Sequence, residues 1–148
     1  MMKKYIYGFL AVDIVVLALL YMTGQIGTNI DAKVAEFDSS IKSHVGTLVD
    51  VRTPQEYTRE KIDGALNVDW KNSNFKSEIE KLDKEKPVLI YCRSGKRAGR
   101  AKRMMKGLGF KKVVNLKGGI NQWKAKGMPT KKGPGYKEHA HGGGEEGC

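Results

Sequence analysis

Cysteine is scarce in this chain: only Cys92 and Cys148 occur in 148 residues. One lies in an apolar motif and the other in a Gly-rich tail. That excludes a disulfide-stapled scaffold and fits a working thiol better than a staple. Histidine is almost as scarce, with three residues. His44 precedes a predicted strand and reads as a surface residue, and His139 and His141 lie in the tail. No residue offers itself as a general base, so chemistry at Cys92 is expected to start from a thiolate without a Cys–His pair. Acidic residues are nearly missing from one region. Residues 81–137 carry 18 basic and 2 acidic side chains, net +16, whereas residues 1–80 are net −2 and residues 138–148 net −3. Three readings of the basic excess stand: a solvated face, steering of small anionic substrates, or a hold on nucleic acid or anionic lipid. An interleaved aromatic platform is also lacking. Tyr91, Phe110, Trp123 and Tyr136 each stand in an apolar or boundary context, so no nucleic-acid partner is expected. No internal repeat occurs.

The length suffices for one domain with a real core, not two. "MMKK" is a basic opening, followed by "YIYGFLAVDIVVLALLYM", an apolar run over residues 5–22 broken only by Asp13. Its 18 residues sit near the lower limit for spanning a bilayer, roughly 17 to 25. No small-x-small cleavage site follows Met22, so an uncleaved anchor through residues 5–22 is expected over a cleaved signal. Lys3 and Lys4 place the rest of the chain on the extracytoplasmic, periplasmic side, membrane-anchored or exported. The expected organisation is a signal or anchor and linker over 1–30, a folded domain over 31–132 and a flexible Gly/His/Glu-rich tail over 133–148. Residues 23–35 read as polar linker.

Within the domain, strands alternate with helices. "TLVDV" (47–51), "GALNV" (64–68), "PVLIYC" (87–92) and "KVVNL" (112–116) read as strands, the third being the most apolar and hence the most central. A helix starts at "TPQEYTRE", with Thr53 as N-cap, Pro54 in the first helical position and Glu56 in the third. "NFKSEIEKL" (74–82) has Phe75, Ile79 and Leu82 at helical spacing. "KRAGRAKRMMKGLG" aligns Ala98, Ala101, Met105 and Leu108 on one face, with Gly109 closing the helix. A last short helix spans 119–127. The fold class is α/β: a mainly parallel central sheet flanked by helices, in a single domain.

Cys92 ends the most buried strand, and ligands of such sheets bind outside the carboxyl ends of the strands. The chain must then turn into a helix, and Gly95 permits the backbone angles that turn needs. A tight loop at a helix N-terminus points several N–H groups inward as an anion nest. Those donors, the helix dipole, Arg93, Lys96 and Arg97 all favour a thiolate at Cys92. The alternative is a small buried core thiol.

"LVDVRTPQEYTREKIDGALNVDW", "YCRSGKRA" and "LKGGINQWKAKGMP" together resemble the rhodanese family: its first signature, its active-site loop and its closing signature, over about residues 35–130. One departure is "EKI" (Glu60, Lys61, Ile62) where the family usually has Gly-His-Ile. The resemblance implies a thiosulfate sulfurtransferase with no cofactor. Cys92 would attack the sulfane sulfur of a small anionic donor such as thiosulfate, polysulfide or a persulfide. The resulting Cys92 persulfide would be discharged to a thiol acceptor or cyanide. It further implies a binding loop of Arg93, Ser94, Gly95, Lys96, Arg97 and Ala98. In it the backbone amides hold the persulfide, Arg97 closes the loop, and Arg93 and Lys96 draw in the donor. Asp50, Arg52 and Glu56 are read as structural, a buried polar network behind the sheet.

Two rivals follow from the same likeness. Rhodanese folds also serve cell-cycle phosphatases, which place five residues between cysteine and arginine. Cys92 and Arg97 enclose four, a ring suited to sulfur and tight for a phosphoryl group. Other members are non-catalytic binding or sulfur-carrier modules, which commonly lack the cysteine. The tail residues His139, His141, Glu145, Glu146 and Cys148 match no defined metal pattern, and no metal is expected. Cys148 is a candidate acceptor of the sulfur or partner in a protective disulfide with Cys92.

Overall fold

Short strands rich in Val, Leu and Ile build a sheet with a buried cluster on each face. The computed structural model describes residues 29–135. In it β4 (Val88–Tyr91) is buried along its whole length and lies at the sheet's centre. Around it run β5 (Val113–Leu116), also wholly buried, and β2 (Thr47–Asp50). The short strands β1 (Ile30–Ala32) and β3 (Leu66–Asn67) form the edges. The order is β1-β5-β4-β2-β3, and every pairing is parallel. Parallel strands need crossovers, and helices supply them.

Side chains alternate across the strands, so the core divides into two clusters. On one face Leu89 and Tyr91 of β4 pack with Phe37 of α1 (Val34–Lys42) and Trp123 of α5 (Gly119–Ala125). Partly buried Tyr57 of α2 (Pro54–Arg59) packs against this cluster. On the other face Val88, Ile90 and Cys92 pack with Phe75 and Ile79 of α3 (Phe75–Glu80) and with Ala98, Ala101 and Met105 of α4 (Lys96–Gly107). The small Ala98 and Ala101 let α4 lie close on β4.

Residues 23–35 are not linker throughout. β1 and the start of α1 fall inside that range. Two of the three β1 residues are exposed, so no apolar run announces the strand; its pairing with β5 makes it. The apolar run at 5–22 and the tail residues 136–148 lie outside the described residues. Among the described residues no helix is long and apolar enough to cross a membrane.

Candidate active site

Cys92 directly follows β4 and is 1% exposed. Its Sγ accepts the backbone N–H of Gly95 at 3.1 Å and that of Ala98 at 3.5 Å. Gly95 caps α4 in the left-handed region, at φ +88°. A Cβ there would also press on the Leu116 carbonyl at 3.2 Å, so glycine serves both the turn and the packing. The sulfur thus sits at the positive end of a 12-residue helix with two donors aimed at it.

The loop is held from outside by the turn after β5. Cys92 O accepts the N–H of Ile120 at 2.9 Å, and Arg93 O accepts that of Asn121 at 3.2 Å. Gly119, at φ +61°, lies so close that a Cβ would run into the carbonyls of Cys92 and Arg93. The Asn115 amide of β5 donates to the Gly95 carbonyl at 3.3 Å and to Asp31 Oδ1 at 2.9 Å. Asp31, on edge strand β1, also pairs with Lys102 of α4 at 2.6 Å. Hydrogen bonding from Lys102, opposed by partial desolvation, holds its carboxyl below the usual range.

Arg97 forms a two-pronged ion pair with Glu56, both N–O distances 2.7 Å. Glu56 is the third residue of α2 and completes a capping box with Thr53, accepting the Thr53 N–H at 3.1 Å. The Arg97 guanidinium holds the Glu56 carboxyl at a pKa of about 2. The structure thereby corrects one sequence expectation. Asp50 and Arg52 do form a buried pair at 2.6 Å, but Glu56 is half-buried and clamps the loop's arginine. The capping-box pattern located Glu56; its partner 41 residues away carries no local signal. Where the family usually has histidine, Lys61 lies over the Tyr57 ring at 5.2 Å.

Two of the remaining loop residues line separate clefts. Arg93 lines a polar cleft of about 350 Å³ with Arg59 of α2 and Lys124 of α5. Glu60 of that cleft is occupied by Lys124 at 2.8 Å and Thr130 at 3.0 Å. Arg59 and Arg93 have no side-chain partner among the described residues. Ser94 lines a larger groove of about 930 Å³ between α1 and α5. Lys96 is exposed at the start of α4 and has no ion-pair partner among the described residues. The structure therefore brings Gly95 and Ala98 to the sulfur and Arg97 to Glu56, and leaves Arg93, Ser94 and Lys96 at the rim.

The sequence and the fold are matched in known proteins. The family description "Rhodanese-like domain" fits residues 33–126. The chain belongs to that family. A sulfurtransferase of Allochromatium vinosum is 37% identical over 82 residues, covering 55% of this chain and 75% of that protein. The thiosulfate sulfurtransferase PspE of Escherichia coli is 34% identical over 85 residues, 57% of this chain and 78% of that protein. The Bacillus subtilis protein YqhL is 37% identical over 79 residues; the match covers 53% of this chain and only 61% of that protein. A solved rhodanese-related protein from Thermoplasma volcanium superposes with a TM-score of 0.61 at 27% identity, covering 68% of this chain and 96% of that one. These likenesses support a rhodanese-type sulfurtransferase or sulfur-carrier role. β1 lies ahead of the matched residues.

Proposed function

We propose that the chain is a thiosulfate-type sulfurtransferase with Cys92 as its nucleophile. The observation that carries this reading is the pair of backbone N–H groups, Gly95 and Ala98, directed at Sγ from the start of α4. The Cys92 thiolate attacks the outer sulfur of thiosulfate. A new S–S bond forms, the old S–S bond breaks, and sulfite departs with its electron pair. The Cys92 persulfide stays in the loop, where the same donors meet its negative charge. An acceptor thiolate or cyanide then takes the outer sulfur and Cys92 leaves as thiolate. No proton need be removed by a base. Arg93 and Arg59 attract the dianionic donor, and Arg97, held by Glu56, keeps the loop closed.

Phosphoryl transfer is the weaker reading. The arginine that would grip a phosphoryl group is engaged on both prongs by Glu56. The test is intact-mass spectrometry after brief thiosulfate exposure, without reductant. Wild type should gain one sulfur atom that cyanide removes, and Cys92→Ser should gain none. An unchanged wild-type mass, or phosphate release from an aryl phosphate, would sink the proposal.

A further inference from the structure

The groove on the Ser94 side differs from anything the donor needs. Its volume of about 930 Å³ far exceeds the needs of thiosulfate and lies within the range of sites that hold whole organic ligands, roughly 300–1,000 Å³. Val34 and Met128 give it an apolar floor. Lys33 and Lys126 stand around it with no ion-pair partner among the described residues, and Lys117 stands there too, attracted also to Asp31. Its one acidic residue, Asp38, is neutralised by Lys42 at 2.6 Å. The groove reaches the catalytic loop at Ser94, two residues beyond Cys92, and reaches the turn that holds this loop at Gly118, one residue before Gly119.

We infer that this groove binds the sulfur acceptor, and that the acceptor is a small thiol with an apolar arm and an anionic group. The arm lies on Val34 and Met128, the anion meets the lysines, and the thiol reaches the loop beside Ser94. This inference rests on the persulfide reading above. The acceptor thiolate attacks the outer sulfur of the Cys92 persulfide. The acceptor–sulfur bond forms as the Cys92 Sγ–sulfur bond breaks, and Cys92 is released as thiolate. Sulfane sulfur passes from one thiol to another, with no outside oxidant or reductant.

The test uses the full chain and ω-mercaptoalkanoates from mercaptopropionate to mercaptooctanoate as acceptors. Cys92 is first loaded with thiosulfate, loading is verified by intact mass, and single-turnover discharge is followed. The second-order rate constant should rise up to about fourfold per added methylene buried. Mercaptoalcohols of equal length should react about fivefold more slowly than the carboxylates. Ala35 is exposed on α1 at the groove, so Ala35→Trp fills the space without touching the core. That variant should load normally but lose the chain-length dependence. Lys33→Gln, Lys117→Gln and Lys126→Gln together should erase the preference for carboxylates. A flat chain-length series in wild type, or an unchanged slope in Ala35→Trp, would overturn the inference. Failure to load strikes the persulfide reading and with it the acceptor assignment. Calorimetry of S-methylated mercaptooctanoate on unloaded protein then reads the groove alone. Binding that Ala35→Trp abolishes would uphold the groove as an amphiphile site, and no binding would overturn that too.

Discussion

The two clefts flanking the Cys92 loop differ in size, polarity and in what their charges do. On the Arg93 side, about 350 Å³ is walled by guanidinium and carboxylate groups, and two arginines are left over. On the Ser94 side, about 930 Å³ has an apolar floor and a lysine rim. The loop that follows Cys92 lines one at Arg93 and the other at Ser94, and the donors to the Cys92 sulfur come from Gly95 and Ala98. A group-transfer reaction has two substrates that meet the same atom at different times. On the proposed function, two unlike clefts on one loop would let each substrate be selected by its own chemistry while Cys92 stays in place.

The comparison breaks most completely if the shared loop is disturbed. Gly119→Ala adds a Cβ into the carbonyls of Cys92 and Arg93 at a left-handed position. It should destabilise by at least about 2 kcal/mol. Both half-reactions should fall together, on the order of a hundredfold. Rapid-quench loading and discharge measured on the same sample would check this; loss of only one would place the fault in a cleft.

Glu56→Gln acts next. Folded Glu56 ionises at about 2 against an ordinary 4.5, so the unfolded chain binds the proton more readily. The pair's contribution is full above about pH 4.5 and is lost as pH falls toward about 2. With its partial exposure discounted, that contribution is about 2 kcal/mol. Denaturant titrations should show wild type losing stability across this window and Glu56→Gln already lacking that component at neutral pH. Equal slopes of stability against pH in the two proteins would remove the clamp from the account.

Replacing Arg59 and Arg93 by glutamine together sharpens the comparison. The KM for thiosulfate should rise about tenfold and its dependence on ionic strength should flatten, with discharge rates unmoved. A matching fall in discharge would mean that the clefts do not divide the substrates. Asp31→Asn has the smallest effect, about 1 kcal/mol of stability, because it removes one acceptor and an exposed ion pair. A few-fold slower loading at unchanged KM would mark Asp31 as a positioning residue acting through Asn115 and Gly95.

The parts legible in the sequence are those set by local rules. β4 is an unbroken apolar run, α2 carries its capping box, α4 shows its buried alanines at helical spacing, and Cys92 lies where such a strand must turn into a helix. β1 was not legible, because three residues with one buried side chain make no pattern; a partner strand more than 80 positions later forms it. Glu56 was legible as a cap and not as a clamp, for the same reason. Neither cleft was legible. Each is a gap between elements distant in sequence, and periodicity describes elements rather than the spaces between them.

The close approach of Gly119 bears on how this site can be inherited or rebuilt. A seven-residue stretch from Cys92 to Ala98 looks like a cassette, complete with thiol and donors. Its outer wall, however, is another stretch of backbone, seated where any side chain would collide with it. Shuffling or grafting the first stretch alone would deliver a cysteine without its cradle. The smallest portable unit is two segments moved together, and recombination that separates them should yield silent proteins rather than slow ones.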